Sequence, residues 1–370
     1  MRFQRLTAAL DGAEVLFFEP EQPLFSKLRR PREGLRVNHT VTAYTLPASV
    51  PPGEEGPSQI NQRSRRNAAF VRRCLQEQGW NMPVLWLTCP DQAGLLYELS
   101  ESVRGVIYDC HRDWMGFPYD WEAAVAEESD VILAASPLLQ ERLSPFSGSV
   151  ALLPNGVDYD PFSQAAEGFP ALPVDLERLN APVIGFLGEV DGFTLLSPVY
   201  LAAEAHPDWS FVFVGPCSRR NPDFARLNRL ENVHFLGEKS PATLSRYLSG
   251  FDVCFSLLSE RDRNPSVVPE QIYQYLASGK PTILFSGGLL DDFQPELVKA
   301  AHFDYEFSVL CETMLEVEAD PVLRVERMAF ARESDWQVRG QQLRELLAAS
   351  GLGVPGQKST GFSVPEDLWN

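Results

Sequence analysis

Residues 261–281 read Arg261-Asp-Arg-Asn-Pro-Ser-Val-Val-Pro-Glu-Gln-Ile-Tyr-Gln-Tyr-Leu-Ala-Ser-Gly-Lys-Pro281: a loop, a short helix and the approach to a strand. Ser266 is placed to cap the helix, with Pro269 in its first turn, where a missing amide costs nothing. Ile272, Tyr275 and Leu276 form one apolar face. Gly279 stops the helix, and Thr282-Ile-Leu-Phe285 reads as a buried strand. The amides of Ser266, Val267 and Val268 would then point into the preceding loop, with the positive end of the helix dipole behind them. That is a seat for a phosphate or diphosphate. Arg261 and Arg263, a few residues upstream, could add charge to the same anion. Most helices that open on a small polar cap bind no anion, so the arginines and the glycine and proline punctuation carry this reading.

Moving outward, short apolar runs alternate with helical patterns. Val84–Leu87, Val106–Asp109, Val131–Ala134 and Val150–Leu153 are strands with helices between them. Residues 161–181 lose that rhythm and gain proline. The rhythm then restarts with Val183–Leu187, Phe211–Val214, Val233–Leu236 and Val253–Leu257. Such alternation implies mostly parallel sheets covered on both faces, and ligands in such sheets sit beyond the carboxyl ends of the strands. The expected architecture is α/β, two Rossmann-like doubly wound domains with a cleft between them. The N-terminal domain is expected over residues 1–162, a linker over 163–180 and the C-terminal domain over 181–335. A bracing helix over 336–350 and a loose tail over 351–370 complete the chain.

A chain of 370 residues is too long for one ordinary core and fits two domains. Its formal net charge of −18 argues against a nucleic-acid binder, whose footprint would be basic. The six cysteines include no Cys-x-x-Cys pair and several sit inside apolar runs, so reduced core residues of a cytosolic protein are expected. The opening residues do not read as a signal peptide, and no apolar run approaches the roughly 18 residues of a membrane span. The helix expected at 62–78 carries Arg63, Arg65, Arg66, Arg72 and Arg73. A run of this kind is ordinarily a solvated face, and in an acidic protein it could instead dock peripherally on an anionic membrane surface.

Several segments together resemble the GT-B glycosyltransferases, in particular the large retaining family often numbered four. Leu153-Pro-Asn-Gly-Val-Asp158 is similar to the family's motif at the end of its first domain. Gly185-Phe-Leu-Gly188 and Phe213-Val-Gly-Pro216 resemble strands of its nucleotide-binding domain. Asn232–Gly237 and Phe251–Ser256 resemble the strand-helix-strand that holds the base, and residues 261–281 its diphosphate and ribose segment. Ala331-Arg-Glu-Ser-Asp-Trp336 resembles its final helix. The resemblance runs from about residue 130 to about 340. It implies transfer of a sugar from a nucleotide-sugar donor to a glycan, lipid-linked or small-molecule acceptor, in a cytosolic polysaccharide pathway. The outcome would be retaining, with no metal and no resident cofactor, because a helix amino end and basic side chains meet the diphosphate charge.

The resemblance implies donor contacts from Gly188, Glu189, Gly215, His234, Phe235, Arg261, Arg263, Ser266, Val267, Val268, Gln271 and Gln274. Two of these depart from the pattern: Gln274 stands where the family usually has a ribose-binding glutamate, and Gln271 where many members have lysine. Glutamine still donates and accepts with a ribose. On the acceptor side, His111 matches a histidine that contacts the donor sugar in relatives. Asp109 and Asp113 could orient it or bond acceptor hydroxyls; the competing reading is that all three close a loop. Arg2-Phe-Gln-Arg-Leu6 resembles the opening of the family's first helix, normally preceded by a strand and a glycine-containing loop. Either that strand lies upstream or the first sheet is one strand short. The alternative function is a catalytically silent GT-B protein that binds a nucleotide sugar or a partner enzyme. An epimerase or phosphorylase on the same fold finds no acid cluster or pyridoxal-lysine motif to support it.

Overall fold

The structure, a computed structural model, describes residues 2–10, 12–20, 34–47, 57–114, 116–169, 171–258, 266–285, 293–318 and 320–353. The chain forms two compact units, residues 1–153 with 340–370, and residues 154–339. The first unit contains α1 (Arg2–Ala8), β1 (Val15–Glu19), β2 (Leu35–Arg36), β3 (Val41–Thr45), α2 (Pro57–Glu77), β4 (Val84–Leu87) and α3 (Ala93–Leu99). It continues with β5 (Gly105–Cys110), α4 (Tyr119–Glu127), β6 (Val131–Ala134), α5 (Pro137–Leu143) and β7 (Val150–Leu152). Its strands form two separate sheets: β1-β3-β2, and the all-parallel β4-β5-β6-β7. Strands β5 and β6 are apolar at most positions and wholly buried, as sheets covered on both faces require. Strands β1 and β4 are as apolar but mostly half-buried.

The second unit contains α6 (Tyr159–Glu167), α7 (Val174–Glu177), β8 (Val183–Leu187), α8 (Ser197–Ala205), β9 (Ser210–Val214), α9 (Phe224–Leu227) and β10 (Val233–Gly237). After these come α10 (Leu244–Ser249), β11 (Val253–Phe255), α11 (Glu270–Ala277), β12 (Thr282–Phe285), β13 (Val298–Ala301), α12 (Glu306–Glu318) and α13 (Pro321–Glu333). One parallel sheet runs β10-β9-β8-β11-β12-β13. Its order reverses between β8 and β11, the crevice where open α/β sheets bind ligands. Two apolar clusters cover its faces, one built on Ile272, Tyr275 and Leu276 of α11, the other on Phe211, Phe213, Phe255 and Phe307. Helix α14 (Trp336–Ala349) starts in this unit, and its residues from Gly340 onward belong to the first.

The break between the units falls at Pro154, not at 162, and the expected linker is not structureless. Helix α6 buries Phe162 and Ala165, and α7 buries Leu176, in the core of the second unit. Prolines there punctuate helices instead of extending a loop. The tail expected from 351 lies outside the described residues beyond 353. All six cysteines are free thiols, four of them buried. No described helix is long and apolar enough to cross a membrane.

Candidate functional site

The site in the second unit is assembled where β8 ends and α11 begins. Helix α11 starts at Glu270, with extended Pro269 as its cap (ψ 144°), three residues later than the sequence suggested. A proline disfavours helical geometry at the residue before it, so Val268 cannot open the helix and Ser266 cannot cap it. The helix ends as read: Gly279 takes a positive φ of 72°, Lys280 N–H reaches the Tyr275 carbonyl at 3.1 Å, and Gly279 N–H reaches Leu276 at 2.9 Å. That pair of bonds is a Schellman cap.

Among the described residues, the backbone N–H groups of Ser266, Val267, Val268 and Gln271 donate to no protein acceptor. The Ser266 hydroxyl is buried and unpartnered as well. The Val268 carbonyl accepts from Asn155 Nδ2 at 3.1 Å, so the Pro-Asn-Gly segment steadies this turn. Arg261 and Arg263 lie outside the described residues.

Gly188, immediately after β8, faces this helix start. Its φ is +147°, and a Cβ built there would lie 3.1 Å from the Phe186 ring and 3.4 Å from Gln271 Oε1. Gly215, after β9, has φ +139°, and a Cβ there would sit 2.0 Å from the Gly188 carbonyl oxygen. Only glycine allows two strand ends to approach so closely. Gly188 N–H donates to Val214 at 3.0 Å, and Gly215 N–H donates to Gly237 at 3.0 Å. Tyr275 locks the same corner from below. Its hydroxyl accepts from Leu187 N–H at 2.8 Å and donates to the Phe255 carbonyl at 3.1 Å. Sequence reading took Tyr275 only as part of an apolar face and missed this role. Its one signal was a hydroxyl inside an otherwise apolar stripe.

The structure therefore brings Gly188, Gly215 and Gln271 to one corner and leaves others elsewhere. Gln274 is half-buried one turn along α11, its side chain unbonded among the described residues. Glu189 is exposed. His234 and Phe235 sit on β10, the edge strand, with β9 between them and β8. The half-buried Phe235 ring packs on Phe213 at 4.8 Å and Phe224 at 4.9 Å, at the edge of the apolar cluster. Burial lowers the His234 pKa, keeping the ring neutral.

In the first unit, His111 follows the carboxyl end of β5. Its Nδ1 lies 3.2 Å from the Asp109 carbonyl, which can only accept, so Nδ1 carries the proton and Nε2 is left as an acceptor. Burial is the largest influence on this ring and lowers its pKa, against the Asp109 carboxylate and carbonyl, which raise it. Asp109 itself is 1% exposed and bound by Arg2, with Nε at 3.0 Å from Oδ1. Its carboxylate is thus occupied by α1 and is not offered to an acceptor hydroxyl; its backbone carbonyl, not its side chain, orients His111. Asp113 is half-buried in the following turn. Trp114 meets His111 edge-on at 5.6 Å and Phe117 at 5.5 Å, a packing cluster. Below it, Glu122 gathers the Tyr108 hydroxyl at 2.8 Å and the Arg142 guanidinium.

Several arginines of helix α2 have protein partners, and Arg65 and Arg73 stay exposed while paired. Arg63 pairs with Asp91 at 3.7 Å, Arg65 with Glu98 at 3.3 Å and Arg73 with Glu77 at 3.5 Å, while Arg72 bonds the Glu98 carbonyl. Arg66 is exposed. Among the described residues, no group of three or more His, Cys, Asp or Glu side chains is arranged to hold a metal.

No family model matches the sequence. The chain is 26% identical over 286 residues to TuaH of Bacillus subtilis (strain 168), a glycosyltransferase assigned to teichuronic acid biosynthesis, covering 70% of each chain. Its fold is similar to sucrose-phosphate synthase from Thermosynechococcus elongatus, with TM-score 0.68, 17% identity and coverage of 93% and 91%. The E. coli trehalose-6-phosphate protein bound with UDP-2-fluoro glucose gives TM-score 0.68, 12% identity and coverage of 95% and 96%. HepE from Anabaena in complex with UDP gives TM-score 0.60, 16% identity and coverage of 84% and 86%. The fold is GT-B, as in these solved structures, and the sequence is similar to that of a glycosyltransferase.

Proposed function

We propose that the chain transfers a sugar from a nucleotide-sugar donor to a glycan, lipid-linked or small-molecule acceptor, without a metal and with retention at the anomeric carbon. The observation that carries this reading is the corner where the Cβ-less Gly188 faces Gln271 and the unbonded amides before and within the first turn of α11. A diphosphate seated there would meet backbone N–H groups and the positive end of a helix. Both stabilise the negative charge that grows on the leaving group. Gln271 and Gln274, one turn apart on α11, supply amides to the phosphate and ribose hydroxyls. In the first unit, Nε2 of the neutral His111 would accept a hydrogen bond from a sugar hydroxyl. Attack of the acceptor on the leaving-group face needs no protein nucleophile.

The uridine nucleotides in the E. coli and Anabaena structures support UDP-sugars as the first donors to test, and the assignment of TuaH supports a polysaccharide acceptor. The test is titration with UDP-, GDP-, ADP-, TDP- and CDP-sugars, followed by mass spectrometry of products. Binding of one donor, lost in Gly188→Val, is the expected result. No binding of any donor overturns the reading. Binding without transfer or donor hydrolysis would favour the silent alternative, towards which Gln271 and Gln274 lean.

A further inference from the structure

The segment between β11 and α11 holds two buried hydroxyls without partners. Ser256 is 1% exposed and Ser266 4%, and the Oγ of each is shut from water with no hydrogen-bond partner. A buried polar group left unbonded costs stability, so native folds keep few of them and each calls for a reason.

The fold fixes where Ser256 points. Along β11, Val253 and Phe255 enter one apolar cluster, while Cys254 enters the other with Val268, Ile272 and Tyr275. Strand alternation then turns Ser256 to the side of Cys254, beneath α11. Its N–H bonds the Ile283 carbonyl at 2.9 Å, so the extended geometry of β11 reaches this residue. Cys254 pairs with Gly185, which puts Ser256 level with Leu187, one residue short of Gly188. The Tyr275 hydroxyl marks the same level, since it joins Leu187 N–H to the Phe255 carbonyl. As the crossover between parallel β11 and β12, α11 starts at their carboxyl ends. Gln271 stands one turn nearer that start than Tyr275, and its Oε1 is 3.4 Å from where a Gly188 Cβ would lie. Ser256 is therefore on the floor of the corner, beneath Gly188 and Gln271. Ser266 lies in the turn whose amides are open.

We propose that the Ser256 hydroxyl is a further contact to the diphosphate, completed with that of Ser266 only when the ligand is bound. The proposal rests on the nucleotide-sugar reading of this corner and adds an O–H floor beneath its open N–H groups. Each hydroxyl gives its proton to a phosphate oxygen, a charge-assisted bond of the stronger kind. The empty fold carries an unbonded buried group and the ligand satisfies it, so stability and affinity trade against each other at this residue.

Ser256→Ala removes the hydroxyl and nothing else of size. It is tested on the full chain by thermal unfolding and by calorimetric titration with UDP and with inorganic pyrophosphate. The empty variant should unfold about 2–4 °C higher than the parent chain, because the unbonded group is gone. Its affinity for both probes should fall about 10-fold, and Ser266→Ala should shift all three readings in the same directions. A higher midpoint with both affinities unchanged would make Ser256 a core residue and overturn the proposal. A midpoint that stays or falls would overturn it as well, since the hydroxyl would then already have a partner. Weaker UDP with unchanged pyrophosphate would move the contact to the nucleoside and sink the diphosphate assignment. A parent chain that binds neither probe would instead remove the nucleotide-sugar reading, and this contact with it.

Discussion

In the second unit, the strand that comes first in the chain ends in the middle of its sheet: β8 has β9 on one side and β11 on the other. In the first unit, among the described residues, the matching central place is a cavity, and the strands either side of it face each other unpaired. The two units otherwise follow one plan. A helix leads into the neighbouring strand, α8 into β9 and α1 into β1, and a later strand returns to the far side. Burial records the difference. Every residue of β8 and β9 is buried, whereas all of β1 and most of β4 are half-buried despite equally apolar sequences. Apolar composition therefore says that a strand wants two covered faces; a neighbour on each edge is a separate condition, and among the described residues only the second unit meets it at this position.

The largest expected effect tests the tight side of that comparison. Gly215→Val places a side chain within 2.0 Å of the Gly188 carbonyl, on a residue with φ +139°. Backbone must move, and the loss is expected at about 4–5 kcal/mol, read from urea unfolding of the second unit. A cost below about 1 kcal/mol would mean that the two strand ends are not held together. In the first unit, Arg2→Met should cost about 3 kcal/mol, because it leaves the Asp109 carboxylate, 1% exposed, without its cation. The double change Arg2→Met with Asp109→Leu should recover most of that. If it does not, Arg2 is held by packing, not by charge.

These residues also show what was legible in advance. Period and punctuation located the strands of both parallel sheets except the edge strand β13, Val298-Lys-Ala-Ala301, whose short run carries a lysine and no clear apolar pattern. The Gly185–Gly188 and Phe213–Pro216 segments end at the corner at β8, where glycine answers a local steric demand. The start of α11 was misread. Ser266 has the chemistry of a cap, but Pro269 forbids helix at the residue before it, and that constraint wins. Asp109 was misread for a different reason: its partner Arg2 lies 107 positions away, and nothing local announces the pair. Strand alternation likewise does not say that the half-buried Phe235 lies against Phe213 and Phe224.

Smaller effects sharpen the donor corner. Tyr275→Phe removes the hydroxyl that ties Leu187 N–H to the Phe255 carbonyl, leaving two buried groups short of a partner. The expected loss is about 1–3 kcal/mol in unfolding, with weaker nucleotide binding because Gly188 is next in the chain. Unchanged binding would detach Tyr275 from the site. Gln274→Glu should tighten binding of a nucleoside diphosphate by about 1 kcal/mol, roughly fivefold, since a carboxylate accepts from ribose hydroxyls more strongly than an amide does. Calorimetric titration decides it, and weaker binding would place the ribose elsewhere.

The smallest effect returns to the first unit and concerns pH. Burial is the chief reason that the His111 pKa is lowered, with Arg2 and Arg112 acting in the same direction and Asp109 opposing them. The folded state therefore refuses a proton that the unfolded chain accepts below its ordinary value of about 6.5. Stability falls as pH drops through that value, because the unfolded state then binds more protons. Above it both states are neutral at this residue and the contribution is flat. His111→Gln keeps a donor toward the Asp109 carbonyl but cannot titrate. It should leave the unfolding midpoint at pH 8 nearly unchanged and reduce its decline between about pH 6.5 and 5. If the two chains decline in parallel, water reaches the ring and its Nε2 is not the desolvated acceptor that the packing around Trp114 implies.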